Sequence, residues 1–151
     1  ATGCSTNAII HLIAMARRAG VELTLDDLDE VGRQTPVIAN IRPSGKQYLM
    51  EDFFYAGGLP ALMKELGPKL DLNALTATGA SLGENIEGAE NFNDDVIRPL
   101  ANPVYHDGSL EVLRVNLAPD GAVIKRAAMG PKFQTHRGPA TVEKSYDDTA
   151  S

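Results

Sequence analysis

The residues best suited to chemistry stand together at Gly3-Cys4-Ser5-Thr6-Asn7. Glycine lets a backbone come close to a ligand. Two hydroxyls and an amide then sit where a helix begins. Free N–H groups and the positive dipole end of a helix suit a carboxylate or a phosphate. Plain capping by Ser5 or Thr6 is the competing role, although four small or polar positions before an all-apolar helix exceed what a cap needs. His11 follows Asn7 by four residues, so the two share a helix face. Its imidazole can touch a ligand held at the helix start, or it can be a hydrogen-bonded core group.

Other candidates are weaker. Glu51-Asp52 opens an aromatic-rich stretch, and carboxylates there can bind a hard cation such as Mg²⁺. Adjacent helical residues point about 100° apart, so this pair would not chelate one ion together, and helix capping is the alternative. Arg42 and Lys46 flank a Pro-Ser-Gly loop, where they can bind an anionic substrate or be solvated. Asp94-Asp95 reads as a solvated turn and His106-Asp107 as surface. Cys4 is the one cysteine. A helix N-terminus lowers a thiol pKa, but a metal cluster or zinc needs several ligands, so Cys4 is expected to be a small buried residue. No P-loop, dinucleotide fingerprint, serine-hydrolase elbow or zincin motif is present.

Helices must position these groups. Ser5 and Thr6 cap an apolar run that predicts a buried helix over about residues 6–19, with Arg17-Arg18 in its last turn and Gly20 just past it. Thr24 starts another, with Leu25, Leu28 and Val31 as its apolar stripe. Residues 37–41 are β-prone and 42–46 form a loop. Helices are predicted over 48–56 and 59–66, with Pro60 in a first turn and Gly67-Pro68 as the stop. Ser81 and Glu84 suit a capping box. Residues 89–103 read as irregular chain around Val96-Ile97. Strands are predicted over 110–116 and 122–125, separated by a Pro119-Asp120-Gly121 turn, with one more over 138–142. The fold class is α+β, part of a larger α/β enzyme: residues 1–101 mostly helical, 102–109 a linker, 110–151 the opening of a β-rich domain.

A chain of 151 residues can bury a core. Its net charge of −6 disfavours nucleic acid or an anionic membrane as partner, because both need a cationic face. No apolar run reaches the roughly 18 residues of a membrane span. One cysteine cannot form an internal disulfide, so a reducing cytoplasm is the default. The start lacks an initiator Met and the end is polar, so both read as cuts through a longer chain, a trimmed self-contained domain being the alternative.

At Gly3-Cys4-Ser5-Thr6-Asn7-Ala8 with His11-Leu12, the sequence resembles the dihydroxy-acid and phosphogluconate dehydratase family. Met50-Glu51-Asp52 with Ala56-Gly57-Gly58 is a second family-like block. Asn116-Leu117-Ala118-Pro119-Asp120-Gly121-Ala122-Val123-Ile124-Lys125 is a third. Residues 36–62 and 93–100 look most like the sugar-acid branch. The resemblance implies a hydro-lyase that removes water across C2 and C3 of a 2,3-dihydroxy sugar acid such as L-arabinonate, leaving a 2-keto-3-deoxy acid. It implies an iron–sulfur cluster as Lewis acid, Mg²⁺ on the substrate carboxylate and C2 oxygen, and a serine base.

The same resemblance places the cluster cysteines, a carbamylated lysine and a magnesium carboxylate upstream of Gly3. It places the serine base in an Arg-x-Ser-Gly motif far downstream. No catalytic residue is therefore assigned within this segment, which is expected to be inactive alone. Ser5, Thr6, Asn7 and, more weakly, His11 carry over as substrate-binding residues. Cys4 stands where most members have a second glycine and takes no cluster role, and no metal ligand is assigned, Glu51 and Asp52 being weak candidates. Implied partners are the rest of the dehydratase polypeptide and further copies, as a homodimer or tetramer. Val115 departs from the family's glycine before the third block, a source of strain if that position has positive φ. The rival reading is a stand-alone acidic module that binds a small carboxylate at the first helix, and a third is a purely structural piece.

Overall fold

The computed structural model describes residues 1–129, 135–139, 141–145 and 147. Its fold is built around the β-prone run that begins at Val37. Val37, Ile38 and Ala39 have no exposed surface. A buried strand must satisfy every backbone N–H and C=O, and this one has no sheet of its own. It takes partners from four segments instead. Val37 pairs with Tyr105, Ala39 with Ile97 and Ile41 with Tyr48. The N–H of Asn40 donates to the carbonyl of Val96, and the carbonyl of Ala1 accepts from Ile38 and Ala39.

Helices close over this run. The first helix, α1, spans Thr6–Arg18 and α2 spans Leu25–Gln34. A short α3, Met50–Tyr55, and α4, Gly58–Glu65, follow, then a 3-10 turn at Gly67–Lys69 and α5 at Leu82–Ile86. Phe53 and Ala56 of α3, and Ala61, Leu62 and Leu66 in and after α4, pack with Ile38, Ala39, Ile41, Val96 and Ile97 in one core. Each large apolar side chain fully buried there contributes roughly 1.5–3 kcal/mol. The irregular residues 89–103 thus earn their place through Val96 and Ile97, which the core encloses.

Helix starts follow the local chemistry. Thr24 and Asp27 form a reciprocal capping box on α2, and Ser81 and Glu84 form one on α5. Hydrogen bonds from Thr24 hold the Asp27 carboxyl below the usual aspartate range, and those from Ser81 do the same for Glu84. Asp52 accepts from the Leu49 N–H at the start of α3, 2.7 Å away.

Burial corrects the expectation for α1. Its bounds match, with Ser5 as N-cap and Gly20 at φ +70°, but only Ile9 is buried. Ile10, Leu12 and Met15 are exposed, because β2 covers only part of the helix surface. The α2 stripe is likewise incomplete: Leu25 and Leu28 are half-buried and Val31 is exposed.

The strands β1, Leu110–Val115, and β2, Ala118–Lys125, form an antiparallel hairpin. Here the turn prediction is corrected. Val115 pairs with Ala118, so the connection is Asn116-Leu117, and Pro119-Asp120-Gly121 lies inside β2. Leu113 pairs with Ala122, which leaves Arg114 opposite those three residues in a bulge. Gly121 takes φ +104° there. A bulge uses the positive φ of glycine and tolerates a proline that cannot donate to the ladder. Val115 is unstrained, since no non-glycine residue among those described has positive φ. The strand expected over 138–142 is absent from its described residues, 138, 139, 141 and 142, and Ala140 lies outside them.

Asp29 joins α2 to the hairpin. Its Oδ1 accepts from the Val112 N–H at 2.8 Å and its Oδ2 from Arg33 Nε at 2.8 Å. Arg114 also reaches Asp26. The Val112 hydrogen bond, with Arg33 adding to it, holds the Asp29 carboxyl below its ordinary range against the opposing effect of desolvation. Asp29→Ala should therefore cost about 1.5–3 kcal/mol, the range for hydrogen bonds to a charged group, measured by urea unfolding near pH 7. A carboxyl whose folded pKa is depressed stabilises the fold above its unfolded pKa. The difference between wild type and variant should hold at neutral pH and shrink as pH falls below about 4. A pH-independent difference would remove the charge from the account.

Candidate functional site at the start of the first helix

Gly3 turns the chain into α1 at φ +67°. A Cβ there would lie 1.9 Å from Ser44 Oγ, so only glycine fits. Its carbonyl accepts two hydrogen bonds, from Ser44 Oγ at 2.9 Å and from Lys125 Nζ at 2.6 Å. Three distant segments meet at this carbonyl: the helix start, the Pro43-Ser44-Gly45 loop and the end of β2. The loop is itself held by Gly45 N–H on the Ile41 carbonyl and Arg42 Nε on the Lys46 carbonyl. Tyr105 Oη donates to the Ser44 carbonyl from the far side at 3.4 Å.

The peptide that follows Gly3 is trans. Its N–H therefore points opposite to the carbonyl that Ser44 and Lys125 hold. The N–H groups of Cys4, Ser5 and Thr6 have no hydrogen-bond partner among the described residues. Ser5 Oγ accepts from the Asn7 N–H at 3.2 Å, which is the capping role. The helices α2, α3 and α5 carry a carboxylate in their first turn, whereas α1, like α4, carries none. The positive end of α1 is thus uncompensated by protein charge, and the part-buried Lys125 ammonium beside Gly3 adds to it.

The structure places Ser5 and Asn7 in solvent contact at this start and leaves Thr6 half-buried. His11 is also exposed, not a core group, and faces an open groove with Ala14, Met15 and Arg18. Cys4 is exposed, contrary to the expected burial, because the Gly3 carbonyl turns inward and the next side chain turns out. Glu51 is exposed and Asp52 serves as a cap. Asp94 accepts from Asn91 at 2.8 Å and Asp95 pairs with Arg98 at 3.8 Å, so both act within the turn. Asp107 pairs with Arg126 at 3.1 Å. No group of three or more His, Cys, Asp or Glu among the described residues is placed to hold a metal.

Sequence reading missed Ser44 and Lys125. Arg42-Pro43-Ser44-Gly45 does spell Arg-x-Ser-Gly, a match to the motif of the family's serine base. Its setting argues against that role: Ser44 is 2% exposed and its hydroxyl proton is committed to the Gly3 carbonyl. Lys125 closed the third family-like block, with no local sign of its target.

Comparison with known proteins bears on the whole chain. The family model described as dihydroxy-acid/6-phosphogluconate dehydratase N-terminal matches residues 1–85, and its C-terminal counterpart matches 95–151. An L-arabinonate dehydratase of Rhizobium leguminosarum bv. trifolii is 49% identical over 98% of this chain and 26% of its own length. An L-arabonate dehydratase of Azospirillum brasilense is 49% identical over 97% of this chain and 26% of its own. A dihydroxy-acid dehydratase of Carboxydothermus hydrogenoformans is 45% identical over 100% of this chain and 28% of its own. The chain therefore spans about a quarter of the length of these relatives.

Gly3 and Gly20 provide an internal control, because both have positive φ but only Gly3 is crowded. Gly20→Ala should cost about 1 kcal/mol from backbone strain alone. Gly3→Ala should cost clearly more, about 2–3 kcal/mol, since Ser44 must also move. Denaturant midpoints measure both, and equal losses would mean that the Ser44 contact does not hold the helix start.

Proposed function

The chain belongs to the dihydroxy-acid/6-phosphogluconate dehydratase family, and from that premise we propose that it forms the middle of a hydro-lyase acting on a 2,3-dihydroxy sugar acid. The reaction removes water across C2 and C3 and leaves a 2-keto-3-deoxy acid. L-Arabinonate is the proposed substrate, supported by the names of two 49%-identical relatives. The boundary between the two parts of the enzyme is proposed at residues 102–109, where helices give way to the hairpin. The whole enzyme is proposed to be cytoplasmic and to self-associate as a dimer or tetramer. No described helix is long and apolar enough to cross a membrane.

One observation carries the proposed role of this segment: the Gly3 carbonyl is held by Ser44 and Lys125, which leaves unpaired N–H groups at an uncompensated helix start. Such groups suit the substrate carboxylate. Ser5 and Thr6 would add hydroxyl contacts, Asn7 an amide, and His11 a more distant contact one turn along. Binding there fixes the acid end of the sugar, which orients C2 and C3 for groups elsewhere in the enzyme. The family reading implies an iron–sulfur cluster and Mg²⁺. The described residues do not fit them: Cys4 is the one cysteine, and no acidic or imidazole cluster is present among those residues. Those ligands are proposed to lie in other parts of the enzyme, and no step is assigned to them here.

Calorimetric titration with L-arabinonate tests the binding role. Weak binding by the chain, lost in Ser5→Ala/Thr6→Ala and reduced several-fold in Lys125→Met, is expected. Unchanged affinity with reduced stability would leave these residues as a cap only. Tight binding that needs no further polypeptide would instead favour a stand-alone carboxylate-binding module. In an anaerobic assay with iron, sulfide and Mg²⁺, the 151-residue chain should form no 2-keto acid above a buffer blank. Turnover would overturn the proposal that catalytic groups lie elsewhere.

A further inference from the structure

The helix α2 lies along the strand β1 and fixes where it sits. Asp26, Asp29 and Arg33 are spaced three and four residues apart, so they share one helix face. They meet Arg114, the Val112 N–H and Glu111 in the reverse chain order. The helix therefore runs antiparallel to the strand. The two repeats also agree in length. The step from Asp26 to Arg33 rises about 10 Å in a helix, and the step from Arg114 to Glu111 covers about 10 Å in a strand. At the end of α2 a Cβ on Gly108 would lie 2.2 Å from the Gly32 carbonyl oxygen, so the two backbones touch.

These contacts differ in how firmly they hold. Arg114 and Asp26 are both exposed, and Arg33 is 63% exposed. Exposed ion pairs constrain geometry weakly, because two long side chains can follow each other. Asp29 is 17% exposed, and its target is backbone. The Val112 N–H moves only with its strand, so Asp29 sets the position of β1 along α2.

The hairpin carries that position to the start of α1. Val112 pairs with Val123 and Leu110 with Lys125, so Lys125 stands two residues beyond the partner of Val112. Its Nζ donates to the Gly3 carbonyl at 2.6 Å. A slip of one residue along α2 would displace the Lys125 backbone by about 3.3 Å, as much as the full length of a hydrogen bond.

We infer that Asp29 is a positioning residue for the carboxylate site proposed at the start of α1. It acts through the hairpin, by keeping Lys125 on the Gly3 carbonyl. The inference rests on that proposed binding role and adds to it a residue whose own hydrogen bonds go to Val112 and Arg33.

Two measurements on the 151-residue chain test it: calorimetric titration with L-arabinonate, and the ¹H–¹⁵N spectrum without ligand. Asp29→Ala should weaken binding several-fold and move the Cys4 amide resonance toward its position in Lys125→Met. Asp29→Asn keeps an acceptor for Val112, and the exposed Arg33 can turn away from the new amide. It should restore both the affinity and the Cys4 resonance of wild type. Asp29→Ala should add nothing to either readout in a Lys125→Met background, as expected for two residues that act on one contact. Asp29→Glu keeps the charge and displaces the carboxylate by one methylene, so it should move the Cys4 resonance without unfolding the chain. Unchanged resonances of Val37, Ile38 and Ala39 verify that each variant keeps its core.

A role in stability alone predicts a lower denaturant midpoint for Asp29→Ala with the affinity and the Cys4 resonance unmoved, and that outcome would overturn the inference. Losses that multiply in the double variant would overturn it too, as would an Asp29→Asn impaired like Asp29→Ala. Failure of wild type to bind the acid would instead overturn the carboxylate reading. The ligand-free Cys4 resonance would then decide the positioning role by itself.

Discussion

A buried extended run without a sheet imposes the main constraint on this fold. Residues 37–41 are apolar at four of five positions, so the hydrophobic effect drives them inside. Their backbone groups must then be paired, and a buried unpaired group costs about 1–3 kcal/mol. The chain meets this need with single bridges from Tyr105, Ile97 and Tyr48, and with the Ala1 carbonyl. Every irregular stretch that supplies a bridge is thereby placed. The loop at residues 42–46 joins Ile41 to its bridge partner Tyr48, and it leaves the core aimed at the start of α1.

The candidate site is a consequence of that placement. Ser44 is the buried end of the loop, and its hydroxyl settles the direction of the Gly3 peptide. Lys125 reaches the same carbonyl from β2, and Asp29 binds β1 from α2. The hairpin is thus attached through both of its strands. A two-stranded hairpin alone is marginal in water, so these contacts maintain both the hairpin and the geometry of the helix start. The N-terminal and C-terminal family models meet across these same contacts.

The surface has two kinds of apolar exposure, and they differ physically. The helix α1 is apolar nearly all round yet packs on one side only, which is the composition of a helix inside a larger assembly of layers. The exposed side chains of α3 instead stand on an element that Phe53 and Ala56 anchor in the core. The first suits cover by more polypeptide. The length of the relatives, about four times that of this chain, agrees with such additional cover.

Much of the local structure was legible in the sequence because its causes lie within a few residues. Ser5, Thr24 and Ser81 cap through bonds that span two or three positions, and Gly20 and Pro60 punctuate helices by their own backbone preferences. The family resemblance rested on similar short blocks. Pro119-Asp120-Gly121 marks the limit. Its positive-φ glycine serves a turn or a bulge equally well, and the Val115–Ala118 pairing decided for the bulge. The apolar run of residues 8–16 showed that α1 wants cover but not whether this chain supplies it. The decisive contacts at Gly3 come from 41 and 122 residues away. No local signal in a serine or a lysine names a partner at that distance. The sequence by itself determined the helix starts and stops that capping and glycine set locally, and only the tertiary structure decided where strands paired and which backbone groups stayed without a partner.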